Sequence, residues 1–323
     1  MSRRWLVRRI TSSVFVLFVA LVINFLIPRL MPGNPVQVLA GGVNLTPEVR
    51  QALIERFGLN SSLWEQFWRY IVNAFRGDFG LSFSYYPSTV TGLIAHALPW
   101  TLLVLVSSLI LQVIIGFFLG ATAAWKAGTK TDSFLQTFSL AVLSAPLFWV
   151  AMVLLYIFGF QLNWFPLAGT YTYGAAYSNV FQQIADILRH AALPVLSYTI
   201  AQYATYQIIL RNTMVGVLKE QYILTAEAKG LSDNAVKFKH AARTALLPMV
   251  TFAAFSLAVT IGGSIYVETI FSYPGIGLLS YNAIIMRDYP VLQGCFFMFC
   301  LVVIIMNFLV DISYMYLDPR IRY

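Results

Sequence analysis

Charge is scarce in this sequence. Only 11% of its 323 residues are Asp, Glu, Lys or Arg, less than half of the quarter typical of a soluble domain. Hydrophobic residues make up 59%, the mean hydropathy is +0.73, and the apolar residues come in long uncharged blocks. That pattern excludes a soluble globular protein. Cysteine is nearly absent: Cys295 and Cys300 share one apolar block and lack zinc or redox spacing, so they read as packing residues. The three histidines, His96, His190 and His240, stand far apart, and no His-Glu-x-x-His or Gly-x-Ser-x-Gly pattern occurs. A zinc protease or an elbow-type serine hydrolase is therefore unsupported. No phosphate loop is present either. In Gly128-Thr129-Lys130-Thr131 the Gly and Lys are not adjacent, and the earlier Gly position is Ala123. The chain has no internal repeat, no low-complexity tract and no separate soluble domain.

What is present is a set of apolar runs. A membrane span needs about 20 apolar residues, and six candidates qualify: Ile10–Leu30, Trp100–Trp125, Phe134–Phe160, Ala191–Val217, Ala245–Ile270 and Val291–Leu317. The first is too long for a signal-peptide core and has no small-residue cleavage site before Pro28, so it reads as an uncleaved span. The fold class is all-α, a polytopic membrane protein of about six spans with an outer helical segment between the first two. Even parity puts both ends on one side. The formal net charge of +8 could suggest nucleic acid, but its distribution points to topology. Arg3, Arg4, Arg8, Arg9, Lys126 and Lys130, the six basic residues from Arg211 to Arg243, and Arg320 and Arg322 fall on the side of the ends. Only seven of the 21 Lys and Arg fall opposite. By the positive-inside rule both termini are expected in the cytoplasm.

Between the first two spans lies Met31–Leu98. Thr46-Pro47-Glu48 predicts a helix start, with the helix ending at Phe57 before Gly58. A second helix, Ser62–Phe75, puts Trp64, Phe67, Trp68, Ile71 and Phe75 on one face, for packing or the lipid interface. Pro146 is expected to kink or locally unwind the third span. Pro99, Pro194 and Pro248 sit near the starts of apolar runs, where proline costs little. Gln161–His190 reads as an outer loop with a short helix near Val180–Leu188. Gly262-Gly263-Ser264 permits close helix approach, and for Gln112, Gln202, Gln207 and Asn307 lining of a path and interhelical hydrogen bonding are equally good readings. An ion-driven secondary transporter would show mid-span charges and repeated halves; neither is seen.

The polar stretch Tyr222–Pro248 stands out between two apolar runs. Gly230 suits a helix C-terminus at positive φ, Ser232 suits the next N-cap, and Asp233 suits the following first turn. The expectation is two short helices joined by a tight turn. Ala226-Glu227-Ala228-Lys229-Gly230-Leu231, His240-Ala241 and Ala245-Leu246-Leu247-Pro248 resemble the cytoplasmic loop of binding-protein-dependent ABC importer permeases, in the dipeptide/oligopeptide/nickel branch. The resemblance extends through Arg76-Gly77-Asp78-Phe79-Gly80, Leu98-Pro99, Val267 to Gly277, Arg287-Asp288-Tyr289-Pro290 and Asp318 to Tyr323. One departure is Glu227, where the branch usually carries Arg.

The resemblance implies a permease subunit, not an enzyme, forming half of a translocation pathway in the cell membrane. It implies a homologous second permease, two ATPase subunits that carry ATP and Mg, and an extracytoplasmic solute-binding protein. No cofactor or metal in this chain and no nucleic-acid partner follow from it; lipid surrounds the spans. Residues 1–92 would form the first span and outer segment, 93–317 the permease core with its coupling loop at 218–243, and 318–323 a cytoplasmic tail. Thr225, Ala226, Glu227, Ala228, Lys229, Gly230, Leu231 and His240 are expected at the ATPase contact, with Ala226 or Ala228 in the ATPase groove. Glu268, Tyr273, Pro274 and Asp288 are candidates for an outer gate. For Glu268, bonding to the donors of the turn that follows is the plainer reading. Peptides are the expected cargo; oligosaccharides or nickel chelates are the alternative within the branch.

Overall fold

The computed structural model describes residues 3–30, 47, 51, 54, 55 and 60–317. The tail 318–323 and most of the expected helix Thr46–Phe57 lie outside the described residues. All named elements are helices: α1 (Arg3–Leu30), α2 (Leu63–Phe75), α3 (Val90–Trp125), α4 (Lys130–Leu143), α5 (Leu147–Leu154), α6 (Val180–Val217), α7 (Gln221–Ala228), α8 (Ala242–Ile270), α9 (Ile276–Ile285) and α10 (Tyr289–Leu317). Two π-helical turns, Leu155–Gln161 and Ala235–Ala241, continue α5 and lead into α8. Among the described residues α3 alone is long and apolar enough to cross a bilayer unaided. α4 and the helix after it qualify only as a pair bent by 93°.

Two compact units divide the chain. The first holds α1, α2, the loop after α2, the start of α3 up to Thr101, α9, and α10 up to Ile305. Ser62 starts α2 with a reciprocal capping box to Glu65, which satisfies two otherwise orphaned backbone donors. The aromatic face of α2 splits. Phe67 and Tyr70 pack on Phe25 of α1, and Asn24 donates to the Tyr70 hydroxyl at 2.9 Å, while Trp64 and Phe75 stay exposed. In Arg76-Gly77-Asp78-Phe79-Gly80 both glycines take positive φ, and the Gly80 carbonyl accepts from Val90 N–H at the start of α3. Gly294 lets α10 close on α3: a Cβ there would lie 2.6 Å from Val90 Cγ1.

Asp288 is fully buried in this unit. Its carboxylate accepts from the Ser82 hydroxyl at 2.5 Å, Ser84 N–H at 2.9 Å and Val291 N–H at 3.3 Å. The loop after α2 is thus fastened to the first turn of α10, where the positive helix end also favours a carboxylate.

The second unit, among the described residues 102–273 and 306–317, is built around α6. Its core joins Ala121 and Ala124 of α3, Tyr206, Leu210 and Met214 of α6, and Ala242, Ala245 and Met249 of α8. Buried polar side chains pair between helices, as the sequence suggested for Gln112 and Gln207. Gln112 donates to the Tyr198 carbonyl at 3.1 Å. Gln207 accepts from Ser139 at 2.6 Å and donates to the Leu135 carbonyl at 3.1 Å. Gln202 is exposed. The surroundings of Gly262 and Gly263 and the side chain of Asn307 are outside what the structure describes. Arg211 of α6 reaches Asp132 in the first turn of α4, Nη2 to Oδ2 at 2.6 Å.

At Pro146, where a kink or local unwinding is expected, the chain turns by 93° between α4 and α5, and Pro146 starts α5 in an extended conformation (φ −62°, ψ 139°); two other sequence expectations need correction. Proline lacks the donor for the preceding turn and drives the residue before it out of helical geometry. The expected short helix at Val180–Leu188 is the start of α6 itself, which runs on without a break. Pro99, Pro194 and Pro248 accordingly lie inside helices. In each case the helix extends beyond the apolar run, because helix length is set by hydrogen bonding and the run by contact with lipid.

The loop before α6 is folded around Asp186. That carboxylate accepts from Thr172 N–H at 2.6 Å, the Thr172 hydroxyl at 2.9 Å and the Tyr177 hydroxyl at 2.6 Å, and lies 3.4 Å from His190 Nδ1. Burial works to raise its pKa, but the Tyr177 hydroxyl and the Thr172 donors outweigh it, so the pKa falls below 3.8. A depressed carboxylate pKa stabilises the fold fully above the unfolded value, and that stabilisation is lost as pH falls through the lower folded value. Asp186→Asn is expected to speed amide exchange at Thr172 roughly ten-fold at pH 7, about the worth of one charged hydrogen bond. The wild-type loop should lose this protection only as pH falls below the ordinary carboxylate range. Unchanged exchange in the variant would remove Asp186 as the organiser of this loop.

Candidate functional site

α7 is an eight-residue helix attached by one narrow stripe. Ile223 and Ala226 are buried against Val236, Ala241 and Ala245 and against Leu210 and Met214 of α6. A single buried i, i+3 pair leaves most of the helix surface open. Tyr222, Leu224, Thr225, Glu227, Ala228, Lys229 and Leu231 all face solvent, Leu224 and Leu231 being apolar side chains 58% and 41% exposed. The Tyr222 hydroxyl also bonds to Thr244 Oγ1 of α8 at 3.0 Å.

The end of α7 is fixed by Gly230, which takes φ +75° as its place in the sequence predicts. Gly230 N–H donates to the Glu227 carbonyl at 2.9 Å, and Leu231 N–H to the Ala226 carbonyl at 3.4 Å. These are the paired 5→2 and 6→1 bonds of a Schellman motif, which needs a left-handed residue at that point. A Cβ on Gly230 would meet nothing within 4 Å, so the demand for glycine comes from the backbone alone.

The second short helix of the expected pair does not exist as a separate element. Ser232 accepts Ala235 N–H at 2.8 Å and Val236 N–H at 3.0 Å through its carbonyl, and the helix that begins there passes through the π turn straight into α8. The physical consequence is a stiffer arrangement than a hinged pair. α7 and its turn are fastened to the first residues of a 29-residue helix, so a push on the turn is delivered to α8 directly.

The eight residues singled out from the sequence therefore divide. Thr225, Glu227, Ala228, Lys229, Gly230 and Leu231 share the open surface of α7 and its turn. Ala226 points inward and is 5% exposed, and His240 lies half-buried in the π turn. Of the residues considered on the outer side, Glu268 is 2% exposed and its backbone carbonyl accepts Tyr273 N–H at 2.7 Å. Pro274, in the first unit, lines a 540 Å³ cleft with His96, Tyr85 and Asn282. Asp288 is held as described above.

Sequence reasoning missed Gly116 and Gly120. A Cβ on Gly116 would lie 2.4 Å from Tyr206 Cβ, and one on Gly120 would lie 2.7 Å from the Gln207 carbonyl. The signal was available: Gly-Phe-Phe-Leu-Gly is a Gly-x-x-x-Gly pattern within an apolar run.

Similarity to known proteins covers almost the whole length. Residues 116–323 match the family of binding-protein-dependent transport system inner membrane components, and residues 2–104 match the N-terminal part of membrane components of such systems. The chain is 36% identical over 320 residues to a probable peptide ABC transporter permease, y4tP, of Sinorhizobium fredii. It is 34% identical over 323 residues to the oligopeptide transport system permease AppB of Bacillus subtilis and to the glutathione transport system permease GsiC of Escherichia coli K12. In each case 99% of both chains is covered.

Proposed function

The chain belongs to the binding-protein-dependent transport system inner membrane components, and from that premise we propose that it forms half of the pathway of an ATP-driven importer of peptides. The relatives' names, peptide, oligopeptide and glutathione, support this cargo class over oligosaccharides or nickel chelates. The partners would be a homologous permease, two ATPase subunits holding ATP and Mg, and an extracytoplasmic solute-binding protein. This chain would carry no nucleotide, metal or cofactor, would not bind nucleic acid, and would hydrolyse nothing by itself.

One observation carries the proposal: α7 is exposed around most of its surface, yet rigidly capped and continuous in load with α8. Thr225, Glu227, Ala228, Lys229 and Leu231 would seat on the ATPase, with Gly230 shaping the turn and Ala226 and His240 supporting it from within. ATP-driven closure of the ATPases would carry α7 with it and rock α8 between inward- and outward-facing arrangements, a rigid-body transition of packed helices. Glu268, Tyr273 and Pro274 would serve on the outer side, while Asp288 would hold the segment before Tyr289 in place. Residues 1–92 would form the first span and outer segment, 93–317 the core of about six crossings, and 318–323 a tail inside.

This reading fixes an orientation that labelling can test. Both ends and α7 would be cytoplasmic, and Tyr173, the loop residue 93% exposed, outside. In a background with Cys295 and Cys300 replaced by Ala, an impermeant maleimide applied to intact cells should label Tyr173→Cys and spare Ser232→Cys. Labelling of Ser232→Cys before the membrane is opened would reverse the topology and remove the ATPase from α7.

A further inference from the structure

α3 carries a line of exposed apolar side chains at four-residue steps: Leu102, Val106, Ile110, Ile114 and Phe118, each between 40% and 54% exposed. Each four-residue step sets a side chain beside the one before but advances about 40° around the axis, so the row winds obliquely about α3. The row continues through Thr122 to Lys126. Thr122 Oγ1 accepts from Lys237 Nζ at 3.0 Å. The Lys237 ammonium also sits 4.6 Å over the Phe238 ring, and Phe238 packs with Phe117 and Phe118 at 6.0 and 5.8 Å between ring centres. Lys237 is half-buried. Its burial, and then the neighbouring Lys126 ammonium, lower its pKa.

Two cations thus stand at the same end of α3, Lys237 bonded to Thr122 and Lys126 one turn beyond it, and among the described residues neither is in an ion pair. Among the described residues the ion pairs are Asp186 with His190 and Asp132 with Arg211. The Asp132 carboxylate also accepts from Gly128 N–H and Gln136. An ammonium has three donors, and Lys237 spends one on Thr122. A half-buried, uncompensated lysine beside another calls for an anion.

We propose that Lys126 and Lys237 clamp the phosphate of an anionic phospholipid whose acyl chain lies along the Leu102–Phe118 stripe. The chemistry alone would suit any phosphate anion; the stripe selects the lipid. It belongs to the one described helix apolar enough to cross a bilayer unaided, and Lys126 follows directly on that helix's last residue, Trp125. The charges therefore stand at headgroup level, directly beyond exposed hydrocarbon-facing side chains, where lysine stems and aromatic rings favour the interface. A soluble partner seated on the lysines would leave that stripe uncovered. The inference needs the membrane location only, and not the assignment of α7 to the ATPase.

Native mass spectrometry of the full-length chain in detergent tests this, with phosphatidylglycerol and phosphatidylcholine offered in turn. The wild type should retain phosphatidylglycerol preferentially. Lys126→Gln and Lys237→Gln should each weaken that binding roughly five-fold, the usual worth of one basic residue at an anionic membrane surface. The Lys126→Arg/Lys237→Arg variant should keep it, and millimolar inorganic phosphate should not displace the lipid. Because Lys126 is exposed, Lys126→Gln alone serves if changes at Lys237 disturb folding. Undiminished phosphatidylglycerol retention in Lys126→Gln would overturn the clamp. Displacement by inorganic phosphate would overturn it equally, since the site would then be one for a free anion.

Discussion

Gly116→Leu and Gly120→Leu are expected to prevent accumulation of folded protein, lowering the monodisperse yield at least roughly ten-fold, while Gly216→Leu is silent. Glycine is needed at 116 and 120 because α3 and α6 touch backbone to backbone. A Cβ on Gly116 would meet Tyr206 Cβ at 2.4 Å and Gln207 N at 3.0 Å. On Gly120 it would meet the Gln207 carbonyl at 2.7 Å and Leu210 Cβ at 3.0 Å. No flexible side-chain end is available to yield, so the helices must separate. Separation would strain the Gln112 bond to Tyr198 and open the core around Tyr206 and Leu210. Overpacking by a few methylenes costs about 1–3 kcal/mol even where side chains can shift. A backbone contact should exceed that, against a total stability of about 5–15 kcal/mol. Gly216 lies on the same α6, and a Cβ there meets nothing within 4 Å. Size-exclusion profiles of the three variants check the contrast. Normal profiles for Gly116→Leu and Gly120→Leu would mean that the close approach of α3 and α6 is not required.

Gly230→Val should give the opposite phenotype: a folded, inserted chain that no longer transports. The new side chain has open space, so the cost is the left-handed backbone, roughly 1–2 kcal/mol for a non-glycine residue and more with β-branching. That penalty falls on the Schellman bonds to Glu227 and Ala226, not on the buried core. α7 would fray or tilt, and the surface formed by Thr225, Ala228 and Leu231 would lose its shape. Uptake in proteoliposomes holding the complete transporter should fall at least roughly ten-fold, with ATPase subunits retained poorly on purification. Ala228→Trp should act likewise by bulk, since Ala228 is exposed. Gly230→Asn should retain most activity, because Asn tolerates positive φ. Ala226→Trp is a different experiment: Ala226 is buried, so that change would damage the core. Parental uptake and full ATPase retention in both Gly230→Val and Ala228→Trp would deprive α7 of its coupling role.

The features legible in the sequence are those whose physics is local. Gly230 was readable because a helix end followed by a polar stretch leaves few other uses for glycine. The break at Pro146 follows from a missing donor, and the start of α2 from a serine three residues before a glutamate. Five of the six apolar runs each fall within one helix, and the third, Phe134–Phe160, is divided at Pro146 between α4 and α5 with its π-helical continuation. Features that depend on what lies opposite were harder to read. Gly116 and Gly120 acquire meaning only once Tyr206 and Gln207 are placed against them. Asp288 looked like a candidate gate because an acid near an apolar run is conspicuous. Its donors, Ser82 and Ser84, lie some two hundred residues earlier in the chain. The merger of the second short helix with α8, and of Val180–Leu188 with α6, escaped for another reason. Hydropathy marks where a helix leaves the lipid, whereas backbone bonding continues past that boundary. The open surface of Glu227 beside Lys229 also shows where the departure from the branch's usual Arg would act: on the charge presented to a partner, with no effect on folding.

The most direct measurement is photo-crosslinking from α7 in native membranes. A benzophenone amino acid placed at Lys229, an exposed position that already carries a long side chain, should give, on illumination, an adduct that mass spectrometry identifies as this chain joined to an ATPase subunit. The same group at Tyr173 should give none. An ATPase adduct from Tyr173, or none from Lys229 while uptake proceeds normally, would contradict the assignment of α7 as the element through which ATP hydrolysis drives transport.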